Sequence, residues 1–204
     1  MDKSKLVLFA MQIVARRSHN QEATMKEALY FLAIIPDSKT CEDIMSFKEM
    51  SADLFASKAA LRSPPHITLH MPFKWKESKE EILLQKLDSF RFENYPFHVK
   101  ISGFDSFAPK VIFVDVEENE LLGQLQKKLV NHVRKELYIL NADYKDRPFH
   151  PHITVAFRDL RKARFEEAKA HFSAIKYEST FEVNGFHLLK HDGNRWNDYS
   201  FFEK

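Results

Sequence analysis

The sequence predicts an α+β fold built from two similar lobes, on the strength of two observations. Short apolar runs typical of buried strands alternate with longer segments whose apolar residues recur at helical spacing. The same order of strands and helices also occurs twice, once from about residue 30 and again from about residue 111. No linker-like or low-complexity stretch separates the repeats. We therefore expect lobes at 25–110 and 111–204 within one domain, with strand exchange between them left open.

The first repeat opens with the apolar run 30–35, which predicts a buried strand ended by Pro36. Apolar residues at helical spacing indicate a helix over 38–60, and Ser63-Pro64-Pro65 stops it. The elements expected next are a strand from His66, a helix at 80–90, an alternating strand at 97–101 and a turn at 103–109.

The second repeat follows the same order with little sequence identity. Its expected elements are a buried strand at 111–116, a helix at 119–138, a loop ending at Pro148, a strand from His152, a helix at 161–172, an alternating strand at 181–184 and a final strand near 199–202. Phe97-x-Val99 precedes a Gly-Phe pair, and so does Phe181-x-Val183. This parallel favours duplication of one unit, and chance similarity of two α+β segments is the alternative.

Composition excludes several classes of site. Four glycines leave no material for a Gly-rich phosphate loop, and one cysteine, Cys41, excludes an intrachain disulfide or a multi-cysteine metal site. The formal net charge of +2 does not indicate an extended nucleic-acid surface, so we expect no DNA partner. A single cysteine is compatible with a reducing compartment, and we predict a cytoplasmic protein that acts as a monomer.

Residues 1–24 lie outside the repeat and form an N-terminal extension, which we expect to be helical or poorly ordered. The regular pattern begins after Met25, which is an alternative natural start. The apolar run from Leu6 is too short to span a bilayer, and no membrane partner is predicted. That run resembles a signal-peptide core, but Arg16-Arg17 follows where small residues are expected.

A short motif occurs once in each repeat, as His66-Ile67-Thr68-Leu69 and as His152-Ile153-Thr154-Val155. Alternate side chains of a strand share a face, so each histidine should lie beside the threonine two residues later. The same alternation places His70 with the first pair, and His150 and Arg158 with the second. Histidine transfers protons near neutral pH, and hydroxyls donate hydrogen bonds, so the two motifs could open a phosphate ester without a metal.

A metal site is the alternative interpretation of these histidines. The spacing of His66 and His70 would suit a helix, but proline precedes each motif and favours extended backbone. His150 and His152 remain candidate ligands, although no neighbouring Asp, Glu or Cys supplies a third one. We therefore expect no metal and no cofactor.

The paired motifs, with the strand at 30–36 and the prolines before both histidines, resemble the 2H phosphoesterase superfamily. That family includes the LigT-like proteins often labelled 2′-5′ RNA ligases and the 2′,3′-cyclic nucleotide phosphodiesterases. The resemblance covers the chain from about Tyr30 to the C-terminus. It implies two lobes related by a pseudo-twofold axis, each an antiparallel sheet with helices on its outer face. One His-x-Thr motif from each lobe would line a central cleft.

The resemblance also implies a reaction. A 2′,3′-cyclic phosphate, or a 2′-5′ phosphodiester of an RNA end or small nucleotide, would lie between the two histidines. One imidazole would take a proton from water and the other would protonate the leaving ribose oxygen. We expect His152 to be the base and His66 the acid, with Thr68 and Thr154 donating to phosphate oxygens.

Further residues are expected to contact the substrate. Cations suit the phosphate and aromatic rings suit a base. The candidates are His70, His150, Arg158, Lys74, Arg147 and Tyr30, and Phe107, Trp75 and Trp196 are further aromatic residues that could stack. For each aromatic residue, packing in the core is the alternative.

Other functions stay open at this point. A non-catalytic module could use the same cleft to bind RNA ends or nucleotides. A second enzymatic alternative is hydrolysis of an ADP-ribose cyclic phosphate, and a third is 2′-5′ ligation of RNA.

Overall fold

The computed structural model describes residues 26–140 and 148–204 and confirms the predicted α+β class. Its strands are β1 Glu27–Ile34, β2 Ile67–Lys76, β3 Phe97–Phe107, β4 Val111–Val116, β5 His152–Ala156, β6 Glu178–Val183, β7 Gly185–His191 and β8 Trp196–Glu203. Its α-helices are α1 Ser38–Phe55, α2 Glu80–Asp88, α3 Glu120–Leu137 and α4 Phe165–Ser173. Three predictions concern residues outside these ranges: the N-terminal extension 1–24, the alternative start at Met25 and the substrate contact of Arg147.

The eight strands form one antiparallel sheet in the order β6-β3-β4-β5-β2-β1-β7-β8. The two expected lobe sheets are the four-stranded halves of this sheet, which meet between β5 and β2. β3 belongs to the first repeat but pairs with β4 and β6, while β7 belongs to the second repeat and pairs with β1. Each half of the sheet therefore contains strands from both repeats.

Apolar stripes attach the helices to the sheet. In α3, Leu122, Leu125, Leu129 and Val133 recur at helical spacing and all are buried. Asn119 caps this helix, because its side chain accepts a hydrogen bond from the backbone N–H of Leu122. In α1 the cap is Asp37, whose carboxylate accepts from the Thr40 N–H. The helices and one face of the sheet thus enclose the main core.

Several predicted elements differ from the structure. The helix expected over 38–60 ends at Phe55, where Ala56 has a left-handed φ of 56°. The turn expected at 103–109 is shorter, because β3 continues through Gly103 to Phe107. Gly103 has a φ of 68° and lies at a register shift against β4, so the glycine marks an irregular point inside the strand. The strand β7 is not among the predicted elements. It begins with the pair Gly185-Phe186, which is like Gly103-Phe104, the pair that begins the expected turn at 103–109.

Among residues 26–140 and 148–204, no helix is long and apolar enough to cross a membrane.

Candidate active site

The two motifs lie side by side where the halves of the sheet meet. The β2–β5 ladder consists of one antiparallel pair, Ile67 opposite Ile153, and both side chains are buried in the main core. Continued by one residue in each direction, this antiparallel register would direct His66 towards Thr154 and Thr68 towards His152, on the other face of the sheet. The two motifs are therefore close together, and the charge of His152 acts on His66 across the junction.

Both histidines are oriented by the same hydrogen bond. The Nδ1 atom of His66 lies 2.7 Å from the carbonyl oxygen of Pro64, and that of His152 lies 2.9 Å from the carbonyl oxygen of His150. A carbonyl oxygen only accepts, so Nδ1 carries the hydrogen in both rings. The Nε2 atom is then the one that can accept a proton from a substrate or water, or return it.

Burial lowers the pKa of both histidines. For His66 the pKa falls to about 4, mainly because the ring is desolvated, with smaller contributions from the charges of Lys48 and His152. Burial also lowers the pKa of His152, whereas the carboxylate of Asp115 acts in the opposite direction. Both rings are therefore neutral at pH 7 in the unliganded protein.

The two threonines offer free hydroxyls beside these rings. Thr68 and Thr154 are partly buried, and within the described part of the chain neither hydroxyl has a hydrogen-bond partner. Buried and half-buried hydroxyls normally have partners. An oxyanion between the two histidines would supply them, since each hydroxyl can donate one hydrogen bond.

Aromatic side chains stand beside each histidine. Phe31 contacts His66 with ring centroids 4.8 Å apart, and Trp196 packs edge-on against Phe31 at 4.6 Å. On the other side Phe113 lies 4.9 Å and Phe107 5.1 Å from His152. Trp196 is partly buried and Phe107 is 40% exposed, so both have surface left for a ligand.

His150 lies at the rim of this site. Its ring is 5.3 Å from that of Phe107, and its Nε2 is 3.6 Å from a carboxylate oxygen of Asp115. The side chain is half exposed and its backbone carbonyl holds His152. The ring of His150 therefore lies 6.4 Å from that of His152, and its contact with a substrate stays a prediction.

His187 reaches the same face, and the sequence analysis missed it. It pairs with Ala33 across β7 and β1, and Ala33 pairs in turn with Thr68. Its Nδ1 lies 3.0 Å from Asp198 on β8. His187 lies between the buried residues Phe186 and Leu188, and this alternation could have predicted a strand with His187 on its exposed face. The pattern is only three residues long, and it begins within the pair Gly185-Phe186, which also suits a turn.

Two predicted contacts are wrong because the residues face the core. His70 is fully buried opposite Leu32, since a register shift between Thr68 and His70 interrupts the alternation of β2. Tyr30 is also fully buried, packs on Phe73 and donates its hydroxyl hydrogen to Glu80. Neither ring is on the face that carries the motifs. Trp75 likewise lies against the core.

Two of the predicted cations, Lys74 and Arg158, are not at the site, and the third, Arg147, lies outside the described residues. Lys74 pairs with Leu29, six residues along β2 from Thr68, which is on the order of 20 Å of extended chain. Arg158 does not share the face of Thr154, because β5 ends at Ala156 and Arg158 has a left-handed φ of 62°. Its guanidinium lies over the ring of Phe157.

Histidine, cysteine and carboxylate side chains form no cluster of three or more that could hold a metal ion in residues 26–140 and 148–204.

Comparison with known proteins identifies the family. A family model described as "2'-5' RNA ligase superfamily" matches residues 36–195. A "Putative phosphoesterase" of Geobacillus sp. (strain WCH70) is 30% identical over 178 residues, covering 85% of this chain and 94% of the relative. A protein of the same description from Bacillus licheniformis is 31% identical over 145 residues, covering 68% and 79%.

Solved structures share the fold. Escherichia coli LigT, crystallised with 3'-AMP, superimposes with a TM-score of 0.63 at 19% identity, covering 87% of this chain and 98% of LigT. TT0787 of Thermus thermophilus gives a TM-score of 0.60 at 19% identity, with coverage of 86% and 97%. The matched family model, the curated relatives and the fold agree, and the chain belongs to the 2′-5′ RNA ligase superfamily, a 2H phosphoesterase family with a LigT-like fold.

Proposed function

We propose that this protein is a metal-independent phosphoesterase that hydrolyses 2′,3′-cyclic phosphates or 2′-5′ phosphodiesters of small nucleotides or RNA ends. The observation that carries the proposal is the pairing of the two motifs: Ile67 of one lies opposite Ile153 of the other, and the histidine next to each is held by the same kind of Nδ1–carbonyl hydrogen bond. Both Nε2 atoms are free of the backbone, because Nδ1 is engaged by a carbonyl. Such a site supplies two proton-transfer groups and two hydroxyl donors around one phosphate.

The proton affinities support a particular division of roles. Burial keeps His66 neutral, with a pKa of about 4, which suits the base. Burial also lowers the pKa of His152, but the carboxylate of Asp115 opposes that decrease, whereas the charge of Lys48 adds to it at His66, so His152 is the better candidate for the acid. We therefore assign the roles in the opposite sense to the expectation from sequence. An anionic phosphate between the rings raises the pKa of both and supplies the protonated acid in the complex.

The hydrolytic step balances with these groups alone. His66 Nε2 takes one proton from water as the water oxygen bonds to phosphorus. The bond from phosphorus to a ribose oxygen breaks, its electron pair stays on that oxygen, and His152 Nε2–H protonates it. Thr154 beside His66 and Thr68 beside His152 donate to the non-bridging oxygens. The two histidines then exchange their extra proton through solvent.

The choice of a nucleotide substrate draws on the fold neighbours and the aromatic residues. Crystal structures of E. coli LigT contain 3'-AMP, ATP or NADP+. In this chain Phe107 contacts His152, and Trp196 packs against Phe31, which contacts His66, so both rings are near the motifs at positions where a base could stack. ADP-ribose cyclic phosphate and ligatable RNA ends carry the same groups and belong in one substrate screen with cyclic mononucleotides.

The experiment is hydrolysis of 2′,3′-cyclic nucleotides by His66→Ala and His152→Ala in the presence of EDTA. Each variant should lose about 10²-fold or more in kcat, because each removes one proton-transfer group. The exposed His98 provides a matched control, and His98→Ala should keep wild-type turnover. Full activity in either motif variant, or loss of wild-type activity in EDTA restored by zinc, would contradict the proposal.

A nucleotide-binding module without turnover is the second candidate. It is favoured by one observation: both histidines are neutral at pH 7 before a ligand enters, so the free site holds no acid. Binding of a cyclic nucleotide to the wild type without product formation over pH 4–8 would select this candidate.

A further inference from the structure

A lysine lies in the middle of an otherwise uncharged buried face of α1. The buried residues of this helix are Thr40, Ile44, Lys48, Ser51, Ala52 and Phe55. Lys48 is 1% exposed, although lysine is almost never fully buried without a partner. Removing an ammonium group from water costs free energy, so its presence here calls for a specific role.

The ammonium group holds the segment that carries His66. Its Nζ donates a hydrogen bond of 2.9 Å to the carbonyl oxygen of Ser63. The next carbonyl, that of Pro64, accepts the hydrogen bond from His66 Nδ1 at 2.7 Å. Lys48 and the imidazole are thus connected through two successive peptide carbonyls.

No carboxylate neutralises this charge within the described ranges, 26–140 and 148–204. The ionisable groups that act on it or on His66 are Cys41 on the same helix, itself near Asp37, and His152 on β5. Burial lowers the pKa of Lys48 to about 8, so the ammonium is still charged at pH 7. The site therefore has a positive charge behind His66 with no anion to balance it.

We propose that Lys48 is a positioning residue of the phosphoesterase site: its hydrogen bond to the Ser63 carbonyl fixes the segment whose next carbonyl, that of Pro64, orients His66. The phosphate of a bound substrate would balance the positive charge of Lys48. This inference rests on the proposed function. While the site is empty, the like charge of Lys48 opposes protonation of His66. When phosphate enters, its negative charge balances both groups, and the orienting carbonyls are already in place.

The test is an NMR titration of the histidine rings in Lys48→Met and Lys48→Gln, with the His66 resonance assigned from its absence in His66→Gln. Methionine removes the charge and the donor, whereas glutamine removes the charge and keeps an N–H for Ser63. The His66 midpoint should rise by roughly one pH unit in both variants. Lys39 is exposed on the same helix, and Lys39→Met should leave that midpoint unchanged.

Kinetics separate this role from a merely structural one. The acidic limb of the kcat/KM profile, which reports protonation of His66, should move to higher pH by as much as the His66 midpoint in the NMR titration, in both Lys48 variants. At neutral pH, kcat/KM should fall about tenfold in Lys48→Met, because the donor to the Ser63 carbonyl is lost. The inference is overturned if folded Lys48→Gln keeps the wild-type His66 midpoint. Because the titration needs no substrate, it decides the role of Lys48 even if cyclic nucleotides are not hydrolysed.

Discussion

At the residue scale, the proline before each motif does more than keep the backbone extended. Pro65 and Pro151 each precede a motif histidine directly. The residue before each proline, Pro64 or His150, accepts a hydrogen bond from Nδ1 of that histidine through its backbone carbonyl. Because proline has no N–H and a fixed φ, this short turn has few alternatives. The same hydrogen bond in both repeats leaves Nε2 of both rings available for chemistry. Sequence reasoning identified the prolines as strand signals, but a hydrogen bond to a neighbouring carbonyl has no sequence pattern.

The lowered histidine pKa values predict an acidic optimum for the free enzyme. With His66 as base, kcat/KM should fall at low pH as His66 is protonated, near its pKa of about 4. With His152 as acid, kcat/KM should also fall as His152 loses its proton, below the ordinary histidine pKa because burial lowers it. The kcat/KM profile should therefore be bell-shaped with its maximum below about pH 6.5.

In the substrate complex the phosphate raises both pKa values, so the kcat profile should lie at higher pH than the kcat/KM profile. Initial rates at saturating and limiting cyclic nucleotide over pH 4–9 give both profiles. A kcat/KM maximum above pH 8 would be incompatible with this assignment of charges.

At the scale of elements, irregular strands decide which side chains reach the site. Strict alternation would place His70 beside Thr68, but β2 shifts its register against β1 between these residues and again further along. His70 consequently faces Phe73 in the core, with ring centroids 5.4 Å apart. A bulge adds one residue to a strand and reverses the faces beyond it.

This explains how much of the site the sequence could provide. The histidines and threonines lie within three residues of each other, so local alternation located them correctly relative to Ile67 and Ile153. Lys74 and Arg158 lie beyond a bulge or a strand end, where that pattern no longer applies. His187 and Lys48 reach the motifs through tertiary packing, which a single sequence without side-chain contacts does not specify.

Two glycines make a matched pair for the strand β7. A Cβ added at Gly185, where β7 begins opposite Glu203, would lie 2.2 Å from the backbone oxygen of Phe202. Backbone cannot move aside as a flexible side chain can, so Gly185→Ala should destabilise the fold by about 2 kcal/mol or more. Gly123 lies inside α3 with open space around its Cβ position. Gly123→Ala should stabilise by about 0.5–1 kcal/mol, since alanine is the better helix former.

Urea denaturation of both glycine variants at one pH measures these changes directly. Equal stability of Gly185→Ala and the wild type would show that β8 can move away from β7 at no cost.

At the scale of the whole molecule, the repeats exchange strands. β7 and β8 come from the end of the chain and complete the half of the sheet that begins with β1 and β2. The similar order of elements within the repeats was visible in the sequence, but a repeated order does not state which neighbour each strand pairs with. Since every half needs strands from both repeats, we expect the domain to unfold as one cooperative unit.

At the same scale, the folded protein loses stability in acid through three histidines, of which His70 is fully buried and His66 and His152 are partly buried. Burial lowers the pKa of His66, His70 and His152 below the value that each has in the unfolded chain. Below about pH 6.5 the unfolded state therefore binds more protons than the folded state, so the free energy of unfolding falls as the pH falls. His66 alone, with a pKa of about 4, accounts for about 2 kcal/mol of this loss by pH 5.

His70 allows this prediction to be tested away from the site. Its Nδ1 lies 2.8 Å from the carbonyl of Met71, while its buried Nε2 has no partner among the described residues, so protonation would leave a buried charge with an unsatisfied N–H. His70→Leu removes that group and should reduce the loss of unfolding free energy between pH 7.5 and pH 5, measured by urea denaturation. His98→Gln, at an exposed position, should keep the wild-type pH dependence. If His70→Leu loses as much stability over this range as the wild type, His70 takes up its proton in the folded state without penalty, and the acid sensitivity must arise at the motif histidines alone.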